Sequence, residues 1–424
     1  MIRTPAGFFN ETRIKRFQDF PDLGYGVTVL TPDLFGTGTP AGNLLGAEPL
    51  GLAIDYTVTP AQMLNRTASS SYLGPPFIGD GGILTFSRAS PATIINSTGL
   101  VETVTNNVPR IDYSPSGILL GLLIEEQRTN LALWSSDLTN VIWTATNVNA
   151  VKTATGPDGV VNSATTLTAT SSDGTVLQAI TSASAARITS CYIKRRTGTG
   201  VVQLTQNNGT TWTDVTVTND WTRVNIASAT AANPTIGIRI RTSGDAVDVA
   251  LFQHELGTFI TSAIPTTSGS VIRSPDVISA ATTTFSYSAS EGTFVVAYNF
   301  VGFNSSDIIA AVSDNTSSNM IELHLASLTS ANFRVRNGGS NQAAIPTSVA
   351  VNVLNKTGGA YKVNNFASSS NGGNAVLDTA GTIPTVNKLT LGFRASAFYL
   401  NGHIQQFTYL PRRISNAELK MRTG

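Results

Sequence analysis

From Thr235 to Arg241 the chain alternates without a slip: Ile236, Ile238 and Ile240 point one way, Gly237, Arg239 and Arg241 the other. A period of two marks a strand with one face in a core. Val201–Gln206, Asp214–Thr218, Trp221–Ala227 and Val247–Gln253 follow the same rule, and polar turns punctuate them at Asn207-Asn208-Gly209, Asn219-Asp220 and Ser243-Gly244-Asp245. Short strands at near-even spacing with such turns predict an antiparallel β-sandwich, a jelly roll, over residues 131–275. Residues 276–424 predict a second sandwich, with strands at Thr293–Phe300, Ile321–Ala326, Asn332–Arg336, Val349–Leu354, Tyr361–Asn364, Lys388–Phe393 and Ile404–Tyr409. Near its end, Asn401-Gly402 reads as a tight hairpin turn. Pro411 closes the last strand, and Ser415 with Glu418 has the spacing of a capping box for a short terminal helix.

The stretch before the sandwiches has two parts. Residues 81–130 read as a β connector, with short strands at Thr85–Arg88, Thr93–Ile95, Leu100–Val104 and Arg110–Tyr113 and turns at Asn96–Gly99 and Ser114–Gly117. Residues 1–80 are an irregular arm, because Pro and Gly recur too densely for long elements. Asn10 is placed to cap a helix over Glu11–Phe17, and Thr59–Asn65 suggests one more helical turn. Phe8, Phe9, Phe17 and Phe20 fall within twenty residues of an arm with little core of its own. They must bury against something else, either the next domain or another subunit. The expected fold class is thus all-β: an irregular N-terminal arm, a short β connector and two tandem antiparallel sandwiches.

Composition narrows the function. The chain has 424 residues, enough for about three domains, and 41% are hydrophobic, which supplies several cores. Only 12% are charged and the net charge is +1, so no basic stripe is present to pair with phosphates and nucleic-acid binding is disfavoured. The single cysteine, Cys191, excludes an intrachain disulfide and reads as a small buried hydrophobe. The N-terminus lacks the apolar core of a secretory signal. The longest apolar run, Ile118–Ile124, falls far short of the ~20 residues of a membrane span.

No cluster of reactive residues stands out. His254, His324 and His403 are far apart and lack neighbours at metal-ligand spacing, so each is expected to make a hydrogen bond at a sheet edge. Glycan cleavage needs two carboxyls flanking the bond, and no E-x-D-x-x-E string occurs. Glu125 and Glu126 are adjacent and so face opposite sides of a strand, one of them within reach of Arg128. Glu322 and His324 share a strand face, the one local acid–imidazole pair, and read as an ordinary polar face. No phosphate-binding loop, dinucleotide fingerprint or hydrolase elbow is present, and no cofactor or metal is implied. Binding is better motivated. Sugar rings stack their C–H faces on aromatics while amides and carboxylates take the hydroxyls. Trp212, just past the Asn207–Thr211 turn, with Asp214 and Asn208 nearby, is the candidate glycan platform. Trp134, Trp143 and Trp221 read as core. The loops Asn304–Asp307 and Asp314–Asn319 are polar and offer a loose calcium pattern at most.

Several phrases resemble a known group: FSRAS (Phe86–Ser90), VPRIDY (Val108–Tyr113), GLLIEEQRTNL (Gly121–Leu131), HELGTFITSAIPTTSGSVIRSPD (His254–Asp276) and the closing LNGHIQQFTYLPRRISNAELKMRTG (Leu400–Gly424). Their order is similar to that in virion proteins of tailed bacteriophages, where a connector joins a particle-anchoring N-terminus to host-facing carbohydrate-binding-like and concanavalin A-like or laminin-G-like sandwiches. The resemblance runs from about Leu84 to Gly424. It implies a tail or head fibre or spike subunit on the virion surface, made in the host cytoplasm. Such a subunit is usually a homotrimer, holds other virion proteins through its arm (here Phe8, Phe9, Phe17 and Phe20) and attaches to host-surface glycans. It implies no membrane insertion. A decoration protein with a purely structural role and a glycan depolymerase are the alternatives, the latter disfavoured for want of paired carboxylates.

Overall fold

The computed structural model describes residues 84–424 and three earlier strands, Leu52–Asp55, Gln62–Thr67 and Ser70–Tyr72. The phenylalanines of the arm and the helix expected over Glu11–Phe17 lie outside the described residues. Gln62–Thr67 is a strand where the sequence suggests a helical turn. It pairs with Leu52–Asp55, which in turn pairs with Gly402–Leu410. Tertiary pairing overrides the weak local preference of a short Pro-containing segment.

The expected all-β fold with two sandwiches is what forms. In the first, a five-stranded sheet runs Thr144–Thr146, Gly174–Ala179, Thr235–Ile240, Val202–Thr205, Thr213–Val215. It faces a second five-stranded sheet of Val148–Ala154, Ala164–Ala169, Ala246–Leu256, Ala185–Thr197 and Thr222–Ala231. Every pairing in both is antiparallel. Ile236, Ile238 and Ile240 point into the core with Val176, Leu204, Ile193 and Phe252, so the period-two pattern is the imprint of that packing. Cys191 is fully buried there, and burial pushes its thiol up to about 12.

The second sandwich packs a ten-stranded sheet on a seven-stranded one. Its core holds Phe294, Phe300, Phe333, Phe366, Tyr298, Tyr361 and Tyr409, all fully buried. The Tyr361 and Tyr409 hydroxyls meet at 3.1 Å and also reach the Ser288 carbonyl, which satisfies their polar tips inside the core. Two expected elements differ. Residues 349–354 form a turn, and the strand there is Asn355–Lys362. Gly358 and Gly359 hide it from a hydrophobic pattern. They sit mid-strand because a Cβ on Gly359 would stand 2.1 Å from the Phe333 ring. Asn401-Gly402 closes no hairpin: Lys388–Leu391 lies in the seven-stranded sheet and Gly402–Leu410 in the ten-stranded one, and Asn401, at φ 50°, turns the chain between them.

At the C-terminus the capping serine does what its spacing implies. Ser415 Oγ accepts from the Glu418 amide at 3.1 Å and starts the helix Asn416–Thr423. The Glu418 carboxylate turns instead to Arg412 and Arg422. Ser415→Ala should lower stability by about 1 kcal/mol, read as a small drop in the urea midpoint with the slope unchanged.

The second sandwich takes strands from both sides of the first. Thr85–Ser87 pairs with Val277–Ala281 at the edge of the seven-stranded sheet, while Leu119–Ile124 pairs with Gly402–Leu410 in the ten-stranded one. Arg128–Asn130 leads into the first sandwich, Val271–Arg273 leads out, and the two pair side by side.

Beneath this crossing lies a buried knot of charges. Arg88 donates to Asp276 Oδ1 at 3.1 Å, and Arg110 donates to both Asp276 oxygens. Arg110 and Arg273 reach Glu125 Oε2 at 2.7 and 2.8 Å. Glu125 also accepts from the Ser262 amide and hydroxyl at 2.7 and 2.6 Å, and Asp276 from the Glu125 amide at 3.0 Å. The five charged residues are all essentially inaccessible to solvent. Burial by itself would raise the Glu125 carboxyl, yet Arg273 and Arg110 hold it well below the usual carboxylate range. Arg88 comes from FSRAS, Arg110 from VPRIDY, Glu125 from GLLIEEQRTNL, and Ser262, Arg273 and Asp276 from the long phrase before the second sandwich. Phrases scattered over nearly two hundred residues are parts of one network.

Candidate functional site

The strongest candidate surface is the outer face of the first sandwich's five-stranded sheet, and it is built by register. Gln203 lies opposite Asp214 on one side and opposite Arg239 on the other. These three side chains therefore form a row across adjacent strands, on the face away from Ile238 and Leu204. Gln203 Nε2 donates to Asp214 Oδ1 at 2.6 Å, and Arg239 donates to Gln203 Oε1 at 2.6 and 2.8 Å. The Arg239 guanidinium lies 4.5 Å from the centroid of the half-buried Trp212 ring. Asp173 stands 3.8 Å from Arg239 and 3.0 Å from Arg241. The row alternates donors and acceptors and is close to neutral.

Of the sequence candidates, Trp212 and Asp214 come together here. Asn208 does not join them: at φ 65° it turns the chain, and its Oδ1 accepts from the Thr235 amide at 2.5 Å. Arg239 and Gln203 are additions. Arg239 was visible on the polar side of the Thr235–Arg241 alternation, but only the register shows that it stacks on Trp212. Trp143 is core, donating to the Leu133 carbonyl at 3.0 Å and packing edge-on against Phe252. Trp134 packs on the same core, and Trp221 is half-buried and lies beneath Lys194.

The histidines sit on interior strands rather than at sheet edges. His254 Nδ1 meets Thr189 Oγ1 at 2.8 Å, while its buried Nε2 has no partner among the described residues. Burial, reinforced by Arg187, pushes it down to about 4. His403 has both ring nitrogens occupied, by Asp112 Oδ2 and Asn299 Oδ1, each at 2.8 Å. Glu322 and His324 are neither exposed nor an isolated pair. Both are buried, and Glu322 is bound by Arg334 and by Arg394 at 2.9 Å. His324 is pushed down to about 3, chiefly by burial and further by those two arginines. A neutral imidazole beside a carboxylate clamped between arginines is a structural arrangement.

The polar loops of the second sandwich spend their carboxylates on themselves. Asp314 accepts from Thr316 and Asn319, and Asp307 accepts from the Asn304 and Ser305 amides. Among the described residues, no group of three His, Cys, Asp or Glu is placed to hold a metal ion. Glu125 and Glu126 lie between the strands Leu119–Ile124 and Arg128–Asn130 rather than on a strand, and they still diverge: Glu126 pairs with Arg128 while Glu125 faces the knot.

Fold and surface together define a class: a two-sandwich β-protein with a mixed aromatic and polar outer sheet face. No family model matches the chain, and no curated protein matches it. Among solved structures it is similar to the CBM40 of a Ruminococcus gnavus IT-sialidase bound to α2,3-sialyllactose, at 18% identity over 32% of this chain and 84% of that one, with a TM-score of 0.29. It is also similar to the NanB sialidase of Streptococcus pneumoniae (18% identity, 32% and 24% covered, TM-score 0.28) and to a heptameric pentraxin of Limulus polyphemus (10%, 32% and 70%, TM-score 0.25).

Proposed function

We propose that this chain is a structural subunit of a tailed-bacteriophage particle, a tail or head fibre or spike whose sandwiches attach to host-surface glycans. The observation that carries the glycan part is the Trp212–Arg239–Gln203–Asp214 row. An aromatic ring beside alternating donors and acceptors matches a sugar, with an apolar ring face and a rim of hydroxyls. The particle assignment rests on the resemblance of the connector and closing phrases, and the knot supplies a physical reason for those phrases to occur as a set. In this reading the protein is a homotrimer on the virion surface, and the arm holds other virion proteins. Several weak sites then act together by raising effective concentration. Its role is binding rather than catalysis.

One observation favours the alternative of a decoration protein that reads no ligand. The Arg239 guanidinium already covers one face of the Trp212 ring, so a sugar must use the edge or displace the arginine.

The test is binding of the fluorescent full-length protein to host cells before and after periodate oxidation of their surface sugars. Saturable binding lost on oxidation supports attachment. Trp212→Ala should then weaken it by about tenfold or more, as removal of a central aromatic does, with oligomeric state unchanged. A folded protein that binds no cells, or a Trp212→Ala variant that fails to assemble, supports the decoration role.

A further inference from the structure

A second recess lies where the first sandwich joins the second. Residues 126–128 of the inbound tether, the loop at Asn304–Asp307 and the loop at Ala397–Tyr399 enclose a cleft of about 400 Å³. That falls within the ~300–1,000 Å³ of small-molecule sites.

Its walls carry sugar-binding chemistry. The Glu126 carboxylate is oriented by Arg128 and by Asn304 Nδ2 at 3.2 and 3.4 Å, and it remains partly exposed. Asn304 is exposed and Phe398 half-buried, with Arg394 against the Phe398 ring at 5.1 Å. Two buried polar atoms in the same walls have no hydrogen-bond partner among the described residues, Arg128 Nε and Tyr399 Oη. Buried polar groups are almost always satisfied, so these two mark a wall that the described residues alone do not complete. Asp307 is fully buried; burial and the nearby Glu126 push its carboxyl up to about 6, although the Asn304 and Ser305 amides donate to it.

The backbone points the same way. Ala395, Ser396 and Phe398 all have left-handed φ, at 50°, 58° and 56°, and Ser306 across the cleft has 52°. Each such residue holds its backbone in a strained conformation. The chain uses glycine for this conformation nearby, at Gly392. Where a side chain is kept in spite of the strain, as at Phe398, its position is being fixed.

We propose that this cleft, walled by Glu126, Arg128, Asn304, Asp307, Phe398 and Tyr399, binds the terminal residue of an uncharged saccharide. Phe398 stacks on the sugar, Glu126 accepts from neighbouring hydroxyls, and the Asn304 amide both donates and accepts. Anionic sugars are rejected, because the cleft presents the Glu126 and Asp307 carboxylates while Arg128 and the nearby Arg394 are already paired, with Glu126 and Glu322. The site shares no residue with the Trp212 face and does not depend on it.

The experiment is a glycan array probed with the full-length protein, carrying neutral hexose-terminated oligosaccharides and their uronic-acid counterparts. Hits are titrated against wild type, Phe398→Ala, Asn304→Ala and Trp212→Ala, with circular dichroism as the check on folding. The expected result is neutral-sugar binding that Phe398→Ala and Asn304→Ala each weaken about tenfold and Trp212→Ala leaves within twofold. Absence of any neutral-sugar binding, preference for the uronic acids, or binding lost in Trp212→Ala but kept in both folded cleft variants would overturn the assignment. The last outcome places recognition on the Trp212 face and leaves that reading standing.

Discussion

Replacing Asp276 by alanine is expected to be among the most damaging single changes in the second sandwich. The carboxylate accepts from Arg88, Arg110 and the Glu125 amide, all buried. Removing it leaves Arg88 with no carboxylate partner and three buried guanidinium groups around the single carboxylate of Glu125. Breaking a buried pair in this way costs about 3–5 kcal/mol, because the charge left behind is uncompensated. At roughly 2–4 °C per kcal/mol for domains of this size, the melting transition should fall by about 10 °C. An exposed pair calibrates the effect. Lys362 and Glu291 lie 3.5 Å apart with the lysine side chain more than half exposed, and Lys362→Ala should change stability by no more than about 1 kcal/mol. Equal melting shifts for the two variants would show that the knot is not a structural keystone.

The second large effect is acid lability. His254 and His324 sit at about 4 and about 3 in the folded chain, burial being the main cause in both, whereas an unburied imidazole takes its proton near 6.5. Above pH 6.5 both rings are neutral whether the chain is folded or not, and stability is flat. Between 6.5 and about 4 the unfolded chain binds protons that the folded chain refuses, so stability falls as pH falls. At about 1.4 kcal/mol per pH unit per group, each histidine removes about 3 kcal/mol by pH 4. Glu125 adds to this at the acid end. Its depressed carboxyl stabilises the fold above the ordinary carboxylate range, and that contribution is lost as pH falls through the range toward its native value. Urea midpoints followed from neutrality down to about pH 4.5 should drop steeply. The double variant His254→Gln, His324→Gln should flatten the upper part of that slope, and an unchanged slope would assign the lability elsewhere.

Much of the architecture was legible because burial writes itself into sequence with a short period. The alternations at Thr235–Arg241 and Val201–Gln206 located their strands to within a residue, whereas the strands expected at Trp221–Ala227 and Val247–Gln253 run on to Ala231 and Leu256, and the one expected at Asp214–Thr218 stops at Val215. Alternation failed where the pattern is erased. Asn355–Lys362 is buried on both faces and carries two glycines to admit Phe333, so nothing in it alternates. Asn401-Gly402 has the composition of a hairpin, but composition does not say which sheet the next strand joins. The sites were less legible for a related reason. Trp212 and Asp214 are two residues apart and could be associated by eye, while Gln203 and Arg239 join them only through pairing across three strands. The cleft draws on positions near 126, 304 and 398, which no local reading connects. Nor could sequence show that Arg88, Arg110, Glu125, Arg273 and Asp276 meet, since each lies in an unremarkable β context.

The side-by-side pairing of Arg128–Asn130 with Val271–Arg273 bears on how such a chain can change over time. The first sandwich departs from the second and returns to it at almost one point, so it behaves as a cassette held by a two-strand stem. Its loops, and even the whole cassette, can be exchanged while the host fold keeps all its own strands. The interface that any replacement must satisfy is the stem, the hydroxyl and amide of Ser262 that meet Glu125, and the apolar contact of Val101 in the connector with Ala154, Ala164, Ala250, Leu251 and Ala263. The cassette can therefore diversify on one side of the stem while the scaffold on the other side stays fixed.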